Sequence, residues 1–131
     1  MEIQAYIDSR KELLDYILQF IDCDENEINN LQKLFDFVNQ KIIPDGKENL
    51  EIFLRLVSKI SQNYHRKEGF FSKIEKIIDH FQDIIKQFFS TFEILDIFGK
   101  SKRLVLYLFQ KNFLPYDDEL IIEKLRRLGY T

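Results

Sequence analysis

Apolar residues recur at three- and four-residue intervals along nearly the whole chain, the spacing of one face of an α-helix. Tyr6, Leu13, Leu14, Ile17, Phe20 and Ile21 form a first stripe and predict a helix from about Ile3 to Asp22. Asp24-Glu25-Asn26-Glu27 follows. It places an N-cap residue three positions before a glutamate and predicts a capping box that opens the next helix. The second stripe is Ile28, Leu31, Leu34, Phe35, Val38 and Ile42. Pro44-Asp45-Gly46 ends it, because proline has no N–H to continue a helix and Asp-Gly accepts turn geometry.

A third helix is predicted from about Glu48 to Tyr64, with Leu50, Phe53, Leu54, Val57, Ile60 and Tyr64 inside. His65 to Gly69 is polar, contains a glycine and reads as a loop. The clearest pattern runs from Phe70 to Phe89: Phe70, Phe71, Ile74, Ile77, Ile78, Phe81, Ile84, Ile85, Phe88 and Phe89 share one face of a single predicted helix. Lys73, Lys76, Asp79, Asp83 and Lys86 occupy the opposite face. Ser90-Thr91-Phe92-Glu93 predicts a second capping box and a short helix to Phe98, stopped by Gly99 in a left-handed conformation. From Ser101 to Lys111, Leu104, Val105, Leu108 and Phe109 lie on one side, with Leu106 and Tyr107 on the other. That predicts a helix buried on most sides. After Pro115, Asp117 or Asp118 caps a last helix through Ile121, Leu125 and Leu128, with Gly129 as its stop. No segment has the strict alternation of a half-buried strand.

The expected fold is all-α: one domain over 1–131, with six or seven helices in antiparallel pairs, as a helical bundle or a short α-solenoid. Residues 1–46 read as an acidic helical pair, and 47–131 as the remaining helical region. Composition sharpens this picture. The chain is 45% hydrophobic, with 13 Phe but a single alanine, Ala5. The best helix former is thus nearly missing, and the helices must be held by burial of their apolar faces at about 25 cal/mol per Å².

The net charge is −3, which gives no global support to nucleic-acid binding. Its distribution is uneven: residues 1–46 hold four Lys/Arg against ten Asp/Glu, and 47–131 hold fifteen against twelve. This reads first as two differently solvated helical faces, since charge runs are usually surface; the sharper alternative is an acidic N-terminal face that repels anions and prefers a basic partner. No stretch approaches the roughly 18 apolar residues that a membrane span needs, so no membrane partner is expected. Glu2, Asp8, Glu12, Asp15 and Asp22 do not suit a signal or transit peptide, and Glu2 excludes N-myristoylation. One cysteine cannot make an internal disulfide, which points to an intracellular protein.

Candidate chemistry is sparse. Cys23 has Asp22, Asp24 and Glu25 as neighbours, whose negative charge disfavours a thiolate nucleophile. His65 and His80 are the two histidines, and with one cysteine they lack the spacing of a zinc site. Gly46, Gly69, Gly99 and Gly129 are scattered and form no phosphate loop. No catalytic, cofactor-binding or metal residue is therefore assigned, and no cofactor is expected. Lys100-Ser101-Lys102-Arg103 could touch phosphate at a helix N-terminus, but three basic residues make a small footprint. The Phe70–Phe89 stripe reads as core rather than a partner groove.

Several ordered runs carry a family resemblance: Ser58-Lys59-Ile60-Ser61-Gln62-Asn63-Tyr64-His65-Arg66, Phe70-Phe71-Ser72-Lys73-Ile74-Glu75-Lys76-Ile77, Phe88-Phe89-Ser90-Thr91-Phe92-Glu93-Ile94, and the stretch Asp96 to Phe109. Over about residues 50–125 the chain resembles the N-terminal helical region of trichomonad-type protist ankyrin-repeat proteins. The resemblance implies a non-enzymatic, cytoplasmic protein–protein interaction or scaffold module whose partners are other proteins. Ankyrin-like helix pairs are the corresponding architecture, and Ser101 to Leu114 reads like a degenerate ankyrin helix and its exit. The Thr-Pro-Leu-His signature of such repeats is not present in these 131 residues. The chain is then either a piece of a longer protein or a short member without the array. The alternative is a structural component of a cytoskeletal or ciliary, microtubule-associated assembly, suggested by a small Phe-packed unit with divided charge.

Overall fold

The computed structural model describes the backbone of residues 3–63, 69–115 and 117–130, with side chains from residue 8 onward except residue 9. The architecture is all-α, with no strand among the described residues. Eight α-helices are described, more than the six or seven expected: α1 (Ile3–Asp22), α2 (Glu27–Phe37), α3 (Lys47–Asn63), α4 (Phe70–His80), α5 (Gln82–Phe88), α6 (Thr91–Phe98), α7 (Lys102–Gln110) and α8 (Glu119–Arg127).

The count rises because the predicted Phe70–Phe89 helix is broken at Phe81, whose backbone leaves the helical region at φ −103°, ψ 14°. The Phe81 ring is buried between Phe35 of α2, 5.3 Å away between centroids, and Phe53 of α3, 5.1 Å away and edge-on. The break occurs where this ring is seated between two other helices. Phe88, placed by the pattern on the buried face, is exposed.

α2 also ends differently from a plain helix. Val38–Ile42 forms a π-helical turn, in which the Ile43 N–H donates to the Val38 carbonyl, and Ile43–Asp45 continues as a 3₁₀ turn. The wider turn accommodates one extra residue, with Val38 and Ile42 both buried. Gly46 then takes φ 106°, a conformation open to glycine at little cost.

The capping box predicted at Asp24 and Glu27 does not form. Asn26 is the N-cap residue, in a left-handed conformation without a side-chain cap bond. The Glu27 carboxylate instead receives Lys76 of α4 at 2.9 Å, an ionic partner in place of a backbone N–H. The second box forms as predicted: Ser90 Oγ accepts from the Glu93 N–H at 3.2 Å, and Glu93 Oε1 accepts from the Ser90 N–H at 3.1 Å. Of the two candidates for capping α8, Asp118 does so, accepting from the Leu120 N–H at 2.9 Å.

Gly99 corrects another expectation. Its φ is −65°, not left-handed. A Cβ there would lie 2.4 Å from the Leu95 carbonyl oxygen and 2.7 Å from Leu128 Cδ1, so glycine is required by space. The left-handed stop after α7 is Asn112, at φ 61°. There the Phe113 N–H returns to the Leu108 carbonyl and the Asn112 N–H to Phe109, a Schellman motif. α8 ends in the same way at Gly129, with the Tyr130 N–H on the Leu125 carbonyl.

α1 packs on α2, α3 and α4; α3 packs on α4 and α6; α6 meets α7 and α8. The buried apolar residues form one continuous core from Leu13 in α1 to Ile121 in α8. The stripes of the pattern supply most of it; Ile28 and Phe88 are exposed instead, and the side chain of Tyr6, Tyr64 and the predicted loop residues from His65 to Glu68 lie outside the described residues.

Candidate functional site

Cys23 follows the last turn of α1, where backbone carbonyls run out of intrahelical donors. Its Sγ–H donates to the Phe20 carbonyl at 3.0 Å. Lys73 of α4 enters the same turn. Its ammonium donates to the Ile21 carbonyl at 2.8 Å and to the Cys23 carbonyl, and lies 3.6 Å from Cys23 Sγ. It also sits 5.7 Å from the Phe20 ring centroid. The pattern placed Lys73 on the solvent face of α4; here it is half-buried and caps α1, a cation at the negative end of a helix dipole.

His80 is exposed at the far end of α4, its ring edge-on to Phe35 at 5.0 Å. Seven helical residues separate it from Lys73, about 10 Å along the axis, so α4 does not bring it to Cys23. His65 lies outside the described residues. Among the described residues no group of three or more His, Cys, Asp and Glu is placed to hold a metal ion.

The basic run at the start of α7 divides its members between different tasks. Ser101 is buried and its Oγ accepts from the Leu104 N–H, which occupies one donor of the helix N-terminus. The Arg103 guanidinium stacks 4.1 Å above the Phe71 ring. Lys100 and Lys102 are exposed.

A charge network joins three helices that are distant in sequence. Asp96 of α6 accepts from Arg55 of α3 at 2.9 Å and from Lys124 of α8 at 3.2 Å. Arg55 also donates to Glu51 at 3.1 Å, and Lys47 meets Glu93 at 2.7 Å. Lys124 lies 5.7 Å from the Phe92 ring centroid. Glu51, Arg55, Phe92, Glu93, Asp96 and Lys124 border an open depression of about 210 Å³. The hydrogen bond from Arg55 holds the Asp96 carboxyl below its ordinary range, and that from Lys47 does the same for Glu93. Arg55 is correspondingly raised, chiefly by Asp96. Carboxylates held ionised in this way have no proton to give near neutral pH, which suits ion pairing and not general-acid work.

Tyr107 of α7 bridges to α4: its hydroxyl donates to the Asp79 carboxylate and to the Glu75 carbonyl, the latter at 3.2 Å. Burial, then the Asp79 carboxylate, pushes the phenol well above its usual range. Burial likewise raises Tyr130, whose hydroxyl donates to the Gly99 carbonyl at 2.7 Å. Both phenols stay protonated and work as donors that tie helices together.

Besides Lys73 and the Arg55–Asp96 pair, sequence reasoning missed three exposed apolar positions. Ile28 is 84% exposed, Leu120 63% and Leu106 58%. The pattern places Ile28 in the core stripe of α2 and predicts an α7 buried on most sides. Tyr107 is buried, but Leu106 faces out, with Lys102 and Arg103 one turn before it and Gln110 one turn after. Those polar neighbours at helical spacing were the signal for Leu106; Glu25, Glu27, Asn29 and Asn30 were the signal for Ile28. Along α8, Leu120 and Ile122 line an open groove of about 490 Å³ with Glu119, Glu123 and Arg126. No helix among the described residues is long and apolar enough to cross a membrane. No protein-family model, no curated protein and no solved structure matches this chain.

Proposed function

We propose that this chain is a non-enzymatic module for protein–protein interaction or scaffolding, acting in the cytoplasm. One observation carries the reading: α2, α7 and α8 each leave a large aliphatic side chain exposed after their other faces have supplied the core. Such residues on rigid helices are the raw material of protein interfaces, which combine apolar anchors with a polar rim. The ionisable groups that come close together support the same reading. Lys73, Arg55, Asp96 and Tyr107 cap helices or join them.

The resemblance of residues 50–125 to the helical region that precedes ankyrin repeats supports a scaffold role. The contacts of α6 with both α7 and α8 are compatible with stacked helix pairs that begin a solenoid. Affinity capture from a native cell extract, with the folded chain as bait, tests the proposal. A discrete set of proteins retained by the wild-type chain and lost with Leu120→Glu is the expected result. Recovery of no specific protein, or equal recovery by both baits, contradicts it.

A further inference from the structure

The acidic and basic residues of the chain are segregated more sharply than its two halves suggest. Residues 12–32 hold six Asp/Glu (Glu12, Asp15, Asp22, Asp24, Glu25 and Glu27) and no Lys or Arg. Residues 97–116 hold Lys100, Lys102, Arg103 and Lys111 and no Asp or Glu. Each stretch also presents one strongly exposed aliphatic residue, Ile28 in the first turn of α2 and Leu106 in the middle of α7.

These two surfaces belong to different flanks of α4. Lys76 joins α4 to α2 through Glu27 at 2.9 Å. Phe71 and Glu75 join it to α7 through Arg103 and Tyr107. With α4 packed between them, one molecule cannot bring its own two faces together. Two molecules can.

We propose that the α2 face, centred on Ile28, docks on the α7 face, centred on Leu106, of a second copy of this chain. The proposal rests on the interaction-module reading above and names the partner. Its argument is complementarity: Ile28, near the exposed Glu25 in a stretch with six acidic and no basic residues, meets Leu106, one turn after the exposed Lys102 in a stretch with four basic and no acidic residues. Complementary charge fixes which faces pair and disfavours like faces meeting. Because the faces differ, the contact is heterologous, and it leaves one free face of each kind at the two ends. Such contacts build rings or open filaments and not closed two-fold dimers.

The test is light scattering coupled to size-exclusion chromatography of the whole chain, with Ile28→Lys and Leu106→Glu. Both substitutions are at exposed positions, and circular dichroism checks that each variant stays helical. If either loses helix, Glu25→Lys or Lys102→Glu replaces it. The wild-type mass is expected to rise above 15.9 kDa with concentration and beyond a dimer. Association should weaken at least about tenfold when salt is raised from about 50 to about 500 mM, since screening shortens the reach of exposed charges. Each variant alone should stay a monomer. An equimolar mixture should give a 1:1 heterodimer, because each variant keeps the face that the other has lost.

A wild-type chain that stays at 15.9 kDa throughout overturns the proposal, as do single variants that assemble like the wild type. A mixture that stays monomeric overturns it too. Failure here, together with retention of other proteins in the extract experiment, removes the second copy as partner and leaves the interaction-module reading standing. Failure of both removes both.

Discussion

The Tyr130 hydroxyl donates a 2.7 Å hydrogen bond to the carbonyl oxygen of Gly99, and so ties the segment that follows α8 to the turn between α6 and α7. The same turn has no room for a side chain, because Leu128 and the Leu95 carbonyl stand where a Cβ of residue 99 would go. Gly99→Ala should therefore destabilise the fold by about 1–3 kcal/mol, the usual cost of overpacking a tight site. Tyr130→Phe, which removes only the hydrogen bond, should cost about 0.5–1.5 kcal/mol. Urea unfolding followed by circular dichroism measures both, and a neutral Gly99→Ala would contradict the close approach.

Ser90 tests the capping box that opens α6. Ser90→Ala removes the acceptor for the Glu93 N–H and should cost about 1 kcal/mol. Ser90→Asp keeps an acceptor and should restore most of the loss. Equal urea midpoints for wild type and Ser90→Ala would show that the cap contributes nothing.

Asp96 predicts a pH dependence with a definite sign. In the folded chain its carboxyl lies below the ordinary value of 3.8, chiefly through Arg55. A carboxyl depressed on folding contributes stability that is complete above its unfolded value and lost as pH falls through the folded one. Arg55 and Asp96 are both about half exposed, so each pair contributes only about 0.2–1 kcal/mol. Asp96→Asn should thus lower the urea midpoint slightly near pH 7, and the difference should shrink as pH falls below 3.8 and through the lower folded value. A difference that grows on acidification has the wrong sign.

Tyr107 makes the opposite prediction at alkaline pH. Its phenol is raised above the ordinary 10.0 in the folded chain, so the stability it contributes is complete below pH 10 and lost as pH climbs beyond it. Tyr107→Phe should cost about 1 kcal/mol near neutral pH, because Asp79 loses a donor. Alkaline titration of phenolate absorbance should show a late-titrating tyrosine in the wild type that Tyr107→Phe lacks. Full titration of all six tyrosines near pH 10 in folded protein would contradict it.

Some of this structure is legible in local sequence, and some is not. The end of α1 at Asp22, the Ser90 box and the Gly129 stop follow from stripes and capping residues, which act over one turn. Phe81 was invisible because its buried ring keeps the helical period while its backbone leaves the helix. Asn112 was missed because glycine is the usual left-handed stop, and asparagine takes that role less often. Lys73 looked like a solvent-face residue because its partners, the carbonyls at the end of α1, lie some 50 positions away in the chain. The Arg55–Asp96 pair spans 41 positions for the same reason. Such pairings depend on how helices are assembled, which no local pattern records. Exposed Ile28 and Leu106 belong to this class, since an apolar residue at helical spacing reads as core until the covering helix proves absent.

The central claim is that the chain works through its uncovered helix faces. A photoreactive amino acid placed singly at Ile28, Leu106 or Leu120, and at Asn39 as a control on an exposed polar position, tests it most directly in native extract. The account predicts discrete protein adducts from at least one of the three aliphatic positions, including a dimer of the chain itself from Ile28 and Leu106, and none from Asn39. Adducts no more frequent at the three positions than at Asn39 would contradict it.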